Sequence, residues 1–209
     1  MISNYFFIDG SALISQIYVL QKKRENFKEH KLDPLKLIHH FILNLRDLHN
    51  GQYKRAVYYF AKGDPRIEEY LSLPDFKEPG LIRDVYFKYC GGKLRGSKGY
   101  DEFLKTVPSK YRDRCSKSEK GVDTELCCDA LQLSATGKLE RLFLLTNDSD
   151  FIPLCKRLRD FGSNVSLLSL SESNIVNKEL VKECDTYDTL VDGHLREIFG
   201  VETKKIIVK

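Results

Sequence analysis

Short apolar runs alternate with amphipathic segments along most of the chain, and this alternation limits the fold more than any other feature. The run "NYFFID" at 4–9 precedes a segment with helical spacing at 11–23. The best helix candidate, at 33–51, has an Asp-Pro start followed by apolar residues every three or four positions. Strands separated by helices build a mostly parallel sheet that is covered on both faces. The pattern therefore predicts a three-layer α/β/α fold with a mostly parallel central sheet.

The same alternation continues toward the C-terminus. We predict further strands at 55–61, 83–89, 141–146 and 164–170. We predict further helices at 64–73, 122–136 and 150–162. Near the end, "TYDTLVDG" favours a short strand and "HLREIF" a last helix. We expect residues 1–209 to form a single domain, because this length suits one core and no low-complexity linker divides it.

Composition is that of an ordinary globular protein. Hydrophobic residues make up 42% of the chain and charged residues 31%, which is too apolar for a disordered protein. No apolar run approaches the roughly 18 residues that a membrane span needs. The six cysteines contain no C-x-x-C pair, and the N-terminal residues indicate a strand rather than a secretory signal. We therefore expect a cytoplasmic protein with reduced thiols and no membrane partner.

Positive charge is concentrated in one segment, at about 88–120. Ten lysines and arginines oppose four acids there, a local net charge of +6 against +4 for the whole chain. Aromatic residues are interleaved with the basic ones, which suits a phosphate backbone and stacked bases, although a solvated basic loop is the simpler alternative. The candidate nucleic-acid-binding residues of this basic insert are Lys93, Arg95, Lys98, Lys110, Arg112, Arg114 and Lys117.

Four acids lie where the predicted strands end or where a helix begins. Asp9 ends the first strand, Asp148 and Asp150 follow the strand "LFLLT", and Asp123 opens the helix that leads into that strand. Each alone could be a helix cap or a turn residue. Open α/β sheets, however, bind ligands at the carboxyl ends of their strands.

Bringing these carboxylates together has an electrostatic cost. At ~4 Å, two carboxylates repel by about 4 kcal/mol at an effective dielectric near 20. A cation would offset this repulsion, and oxygen ligands without His or Cys favour Mg²⁺ or Mn²⁺. An ion of this kind can activate water for phosphodiester hydrolysis. The acids therefore predict a metal-dependent site.

Three stretches of the sequence resemble a known family. They are "FIDGSAL" at 7–13, "EKGVDTELCCDAL" at 119–131 and "LLTNDSDFIPLCKRLRDFGSNV" at 144–165. Together they are similar to the NYN domain family, the LabA-like branch of the PIN-like nucleases. The resemblance implies a PIN-like α/β/α fold and divalent-metal-dependent ribonuclease activity. It also implies that the catalytic, metal-binding acids are Asp9, Asp123, Asp148 and Asp150. Our own hypothesis for the partner is RNA, single-stranded or structured.

Further residues within these stretches are weaker candidates. Asp129 falls where "DAL" recurs in PIN-like helices and is a fifth candidate metal ligand, although it lies about 240° around a helix from Asp123. Ser11 and Asn147 could orient water or phosphate, and Lys120 could bind phosphate.

The chain departs from the family at one position near the first acid. Family members often carry Asn two or three residues after that Asp, whereas this chain continues with Gly10, Ser11 and Ala12. The departure leaves open a second hypothesis, in which the protein is a catalytically weak or inactive NYN-fold module that binds RNA or a protein partner. Either form is compatible with an oligomer.

Overall fold

The computed structural model describes residues 3–45, 52–73, 80–82, 84–91, 102, 105–108, 121–170 and 177–201. The strands of the described residues are β1 (Ser3–Asp9), β2 (Gln52–Ala61), β3 (Gly80–Ile82), β4 (Val85–Cys90), β5 (Leu139–Leu145), β6 (Asn164–Ser169) and β7 (Thr186–Thr189). The helices of these ranges are α1 (Gly10–Lys23), α2 (Pro34–Leu45), α3 (Arg66–Tyr70), α4 (Val122–Ala135), α5 (Ile152–Asp160), α6 (Lys178–Lys182) and α7 (Asp192–Phe199). Short 3-10 turns occur at Glu25–Phe27 and Ser149–Phe151.

The described strands form one sheet in the order β3-β4-β2-β1-β5-β6-β7. Six of them are parallel, and β3 adds to the edge of β4 in the antiparallel direction. β1 lies in the middle of the sheet and is buried at six of its seven positions. A strand that is buried on both faces has a continuous apolar sequence. This explains why apolar and polar residues do not alternate in "NYFFI". The predicted mostly parallel sheet is confirmed.

Helices cover both faces of the sheet and create two cores. On one face, Phe6 of β1 packs in a cluster with Leu13 of α1 and Phe41 of α2. On the other face, Phe7 belongs to a cluster with Leu126 of α4 and Leu158 of α5. Adjacent strand residues point to opposite faces, so one apolar run supplies both clusters. This arrangement confirms the predicted three layers.

The boundaries differ from the sequence-based expectation in a few places. The helix predicted at 64–73 is limited to α3, because Leu71 leaves the helical conformation and forms a bridge with Leu32. The helix predicted at 33–51 is described as far as Leu45, and residues 46–51 lie outside the described residues. β3 and α6 were not predicted, since three and five residues are too few to display a period.

The strand order creates a crevice near the centre of the sheet. The chain winds from β1 outward to β2 and β4, and then returns to β5, β6 and β7 on the other side of β1. The direction of winding therefore reverses between β1 and β5. In doubly wound sheets, the connections diverge at such a point and leave a ligand crevice outside the carboxyl ends of the strands.

Two further observations concern the helices and the cysteines. No helix in the described ranges is both long and apolar enough to cross a bilayer. The cysteines within those ranges are free thiols, and Cys155 Sγ lies 3.9 Å from Cys184 Sγ between α5 and the end of α6.

Candidate active site at the carboxyl edge of the sheet

Asp9 is fixed where β1 passes into α1. Its Oδ1 accepts hydrogen bonds from the backbone N–H groups of Ser11 at 3.0 Å and Ala12 at 3.2 Å, so that it caps α1. Its Oδ2 accepts a hydrogen bond from the Thr146 hydroxyl at 2.9 Å. Asp9 is only 5% exposed. A buried carboxylate at a helix N-terminus is stabilised by these donors and by the helix dipole, so its position is well defined.

Thr146 connects Asp9 to the acids that follow β5. The residue is completely buried, and its hydroxyl also accepts a hydrogen bond from the Asp148 N–H at 3.2 Å. Asp148 Oδ1 in turn accepts from the Asp150 N–H at 2.9 Å and caps the 3-10 turn of Ser149–Phe151. Thr146 therefore joins Asp9 and Asp148 across the crevice between β1 and β5. It was not among the sequence-based candidates, although its place between an apolar strand and "NDSD" was a usable signal.

Asp123 and Asp150 have exposed side chains at the same end of the sheet. Asp150 lies in the 3-10 turn after β5, and Asp123 lies in the first turn of α4. A helix that connects two parallel strands runs back along the sheet, so its N-terminus lies at the carboxyl ends of the strands. Asn147, between Thr146 and Asp148, is half-buried at this edge.

The four acids do not form a ready-made set of metal ligands. Over the described ranges, no three His, Cys, Asp or Glu side chains are close enough together to hold a metal ion. The described contacts thus link Asp9 to Asp148 through Thr146, and Asp148 to the backbone of Asp150, but the four carboxylates do not complete such a group. The exposed carboxylates and the buried Asp9 nevertheless supply the hard oxygen donors that Mg²⁺ and Mn²⁺ prefer.

Asp129 belongs to a neighbouring network on the same face of the sheet. Its Oδ2 accepts hydrogen bonds from Tyr59 Oη and Lys88 Nζ, each at 2.8 Å, and Lys88 also contacts Glu125 Oε1 at 2.6 Å. We call these four residues the lysine network. Asp9, Tyr59 and Lys88 are register partners in β1, β2 and β4, so the network begins beside Asp9.

Two carboxylates, Asp129 and Glu125, oppose the single ammonium group of Lys88 in the lysine network. Burial disfavours the charged form of Lys88, but the hydrogen bonds to Asp129 and Glu125 outweigh burial and raise the pKa of the ammonium group. Burial, followed by the negative charge of Asp129, raises the pKa of Tyr59 well above its ordinary value. Tyr59 therefore stays protonated and donates to Asp129. The role of Asp129 as a metal ligand stays a prediction.

A partly buried ion pair lies beside the first turn of α1 and was also missed. Asp64 follows β2, and its side chain is 3% exposed. Arg66 Nη2 contacts Asp64 Oδ2 at 2.7 Å and lies 3.5 Å from Ser11 Oγ. The sequence "DPR" was interpreted only as a helix start. Its position after a second central strand places a guanidinium group beside Ser11, two residues after Asp9 in the chain.

The remaining predicted residues fall in parts of the chain outside the described residues. These are Lys93, Arg95, Lys98, Lys110, Arg112, Arg114, Lys117 and Lys120. Their assignment to nucleic-acid or phosphate binding stays a prediction.

Comparison with known proteins agrees with the fold and identifies the family. The chain is similar in structure to the crystal structure of a protein of unknown function from Vibrio parahaemolyticus, with a TM-score of 0.50 and 12% sequence identity over 91% of this chain and 94% of the other. At that identity the similarity concerns the fold alone. No curated protein is significantly similar in sequence. The model of the NYN domain, however, matches residues 6–190. The chain therefore belongs to the NYN domain family, within the PIN-like nuclease superfamily.

Proposed function

We propose that this protein is a divalent-metal-dependent ribonuclease that hydrolyses RNA phosphodiester bonds. Membership of a family within the PIN-like nuclease superfamily supports a nuclease. The observation that carries the proposal further is the hydrogen-bonded connection of Asp9, Thr146 and Asp148 across the crevice between β1 and β5. This crevice is the position at which doubly wound sheets bind their ligands.

In this proposal, the carboxylates hold Mg²⁺ or Mn²⁺. Asp9 and Asp148 are the principal ligands, and the exposed side chains of Asp123 and Asp150 complete the set. Asp129 is the fifth candidate, although its charge is already shared with Lys88. Bound there, such an ion would lower the pKa of an attacking water and offset negative charge on a phosphate.

The chain itself positions the reacting groups. Two backbone N–H groups and the Thr146 hydroxyl orient the Asp9 carboxylate, which leaves it little freedom to rotate. Ser11 and Asn147 flank Asp9 and Asp148 in the chain and are suited to orient water or a phosphate oxygen. Lys120, one residue before the glycine at the start of α4, is the candidate for a direct phosphate contact.

The proposal extends to the substrate, the domain organisation and the compartment of the protein. RNA, single-stranded or structured, is the proposed partner, and the basic insert at about 88–120 is its proposed contact surface. We further propose that the chain is a single-domain cytoplasmic protein. Its mass in solution measures whether it self-associates.

A second candidate function is RNA or protein binding without cleavage. Two observations favour it. Ala12 and Ser11 occupy positions where family members often carry Asn, and no three potential ligand side chains are grouped within the described ranges. In that case the acids at the edge of the sheet would be remnants of a nuclease site.

A cleavage assay with a matched variant distinguishes the two candidates. We expect the purified protein to cleave labelled RNA in Mn²⁺ or Mg²⁺, and Asp148→Asn to lower the rate by about 100-fold or more, because it removes a ligand charge. The control is Asp160→Asn, which changes an exposed aspartate at the far end of α5. Both variants should keep the wild-type circular dichroism spectrum. Full activity of Asp148→Asn, or no cleavage by the wild type on RNA and DNA panels, would favour the binding module.

A further inference from the structure

A groove runs along the face of the sheet that carries α4. Its volume is about 470 Å³, within the range of sites that bind a small organic molecule or a nucleotide. Residues of β1, β2, β4 and the C-terminal half of α4 form its walls, and those used below are Tyr5, Lys54, Arg55, Tyr86, Lys88 and Asp129. Tyr5 and Tyr86 are half-buried in these walls.

A β-bulge places two consecutive basic residues in the groove. Asn4 of β1 pairs with Tyr53 of β2, but Tyr5 pairs with Arg55, so that Lys54 is an extra residue in β2. In a regular strand, consecutive side chains point to opposite faces. The bulge changes that alternation, and both Lys54 and Arg55 line the groove with exposed side chains.

The groove begins beside the candidate active site. Tyr59 and Lys88 line one end, and both lie in the same row across the sheet as Asp9. The Tyr5–Arg55 row lies four residues back along the strands, which corresponds to about 13 Å. A strand of nucleic acid leaving Asp9 along this face would therefore reach the basic pair within a few nucleotides.

The distribution of charge favours an anionic occupant at the far end. Lys88 is compensated by Asp129 and Glu125. Lys54 and Arg55, in contrast, form no ion pair with any residue of the described ranges. Two cations next to half-buried tyrosine rings match the combination of phosphate contacts and base stacking that binds single-stranded nucleic acid.

We propose that this groove binds a single-stranded segment of the RNA substrate next to the site of cleavage. Lys54 and Arg55 contact its phosphates, and Tyr5 and Tyr86 contact its bases. The proposal rests on the proposed ribonuclease function, because it assigns the groove to the same substrate. It places part of the RNA-binding surface outside the basic insert.

The first test measures RNA binding without cleavage. Fluorescence anisotropy of a labelled 12-nucleotide RNA in EDTA should show about tenfold weaker binding by Lys54→Ala/Arg55→Ala than by the wild type. Loss of two phosphate contacts should also reduce the slope of log K against log salt by about 1.4. The control is Lys22→Ala/Lys28→Ala, which removes the same charge from exposed positions on α1 and the turn after it, and should leave affinity unchanged.

The second test concerns stacking. Tyr86→Leu should weaken binding by about tenfold without changing the salt slope, whereas Tyr86→Phe retains the ring and should bind as the wild type does. A melting curve of each variant confirms that it is folded. If Tyr86→Leu fails to fold, the Lys54 and Arg55 variant decides the question, because its two side chains are exposed.

A cleavage comparison separates this proposal from the nuclease itself. In Mn²⁺, the Lys54→Ala/Arg55→Ala protein should lose about tenfold in kcat/KM on the 12-nucleotide RNA and little on a dinucleotide that cannot reach the basic pair. Groove-dependent binding without any cleavage would overturn the nuclease and support the groove. Absence of RNA binding by the wild type, or equal affinity and salt slope in the double variant, would overturn the groove even if the wild type cleaves RNA.

Discussion

Gly10 shows how one residue controls the geometry of the candidate site. It connects Asp9 to α1 and packs directly against β2. A Cβ atom at this position would lie 2.2 Å from Phe60 Cδ1 and 2.6 Å from the Tyr59 carbonyl oxygen. The carbonyl is backbone and cannot move aside as a flexible side chain would. The "DG" pair therefore reflects close packing of α1 on β2, and not only a turn.

We expect Gly10→Ala to lower the free energy of unfolding by about 1–3 kcal/mol, because the added methyl group overpacks this contact. Nuclease activity should fall with it, since Asp9 would shift. Urea denaturation measures the first effect. Gly193→Ala is the control, because its Cβ would meet nothing within 4 Å. Equal stability of the two variants would contradict the claim that the close packing of Gly10 on β2 excludes a side chain there.

Part of the candidate site could be predicted from sequence. Asp9, Asp123, Asp148 and Asp150 each adjoin a recognisable strand or helix boundary, so the pattern indicated their place at the carboxyl edge of the sheet, while their role as metal ligands stays a prediction. Thr146 and the Lys88–Asp129 pair depend on which strands are neighbours and in what register, which local periodicity does not reveal. The exposure of Asp123 and Asp150 is likewise a property of the folded chain.

At the scale of elements, α2 and α7 meet through a histidine contact. His40 Nε2 lies 3.2 Å from Glu197 Oε2, and the His40 ring is 4.9 Å from that of His194. Burial is the main cause of a lowered pKa for His40, and the nearby His194 adds to it, while Glu197 opposes both. The neutral imidazole is therefore favoured in the folded protein.

This contact predicts a stability that decreases in acid. The unfolded state takes up a proton near the ordinary His40 pKa of 6.5, before the folded state does. The contribution is fully present above that pH and is lost as the pH falls through the lower pKa of the folded protein. Urea denaturation between about pH 7 and about pH 5 should show a smaller pH dependence for His40→Gln than for the wild type. An identical dependence in the two proteins would contradict this assignment.

The elements themselves were largely predictable. The continuous apolar run of β1 and the regular spacing of α2 were sufficient, since buried parallel strands and amphipathic helices leave strong patterns. The end of α3 was not predictable, because it results from the bridge between Leu32 and Leu71. The bulge at Lys54 left no sequence pattern either, yet it determines which side chains line the groove.

For the molecule as a whole, strand order is the feature that relates fold to function. The reversal between β1 and β5 brings together acids that are 139 residues apart in the chain, Asp9 and Asp148, through one buried threonine. The groove extends from the same row of the sheet toward two cations. The carboxylates at the carboxyl edge of the sheet suit a metal ion. The basic residues at the far end of the groove suit a polyanionic strand.

The most direct test of this account is the anomalous scattering of manganese in crystals soaked with Mn²⁺. We predict a peak between Asp9 and Asp148, with carboxylate oxygens at roughly 2.0–2.2 Å, and no such peak in crystals of Asp148→Asn. A wild-type map without a peak at this crevice, or with manganese bound only elsewhere on the protein, would contradict the proposed metal-dependent site.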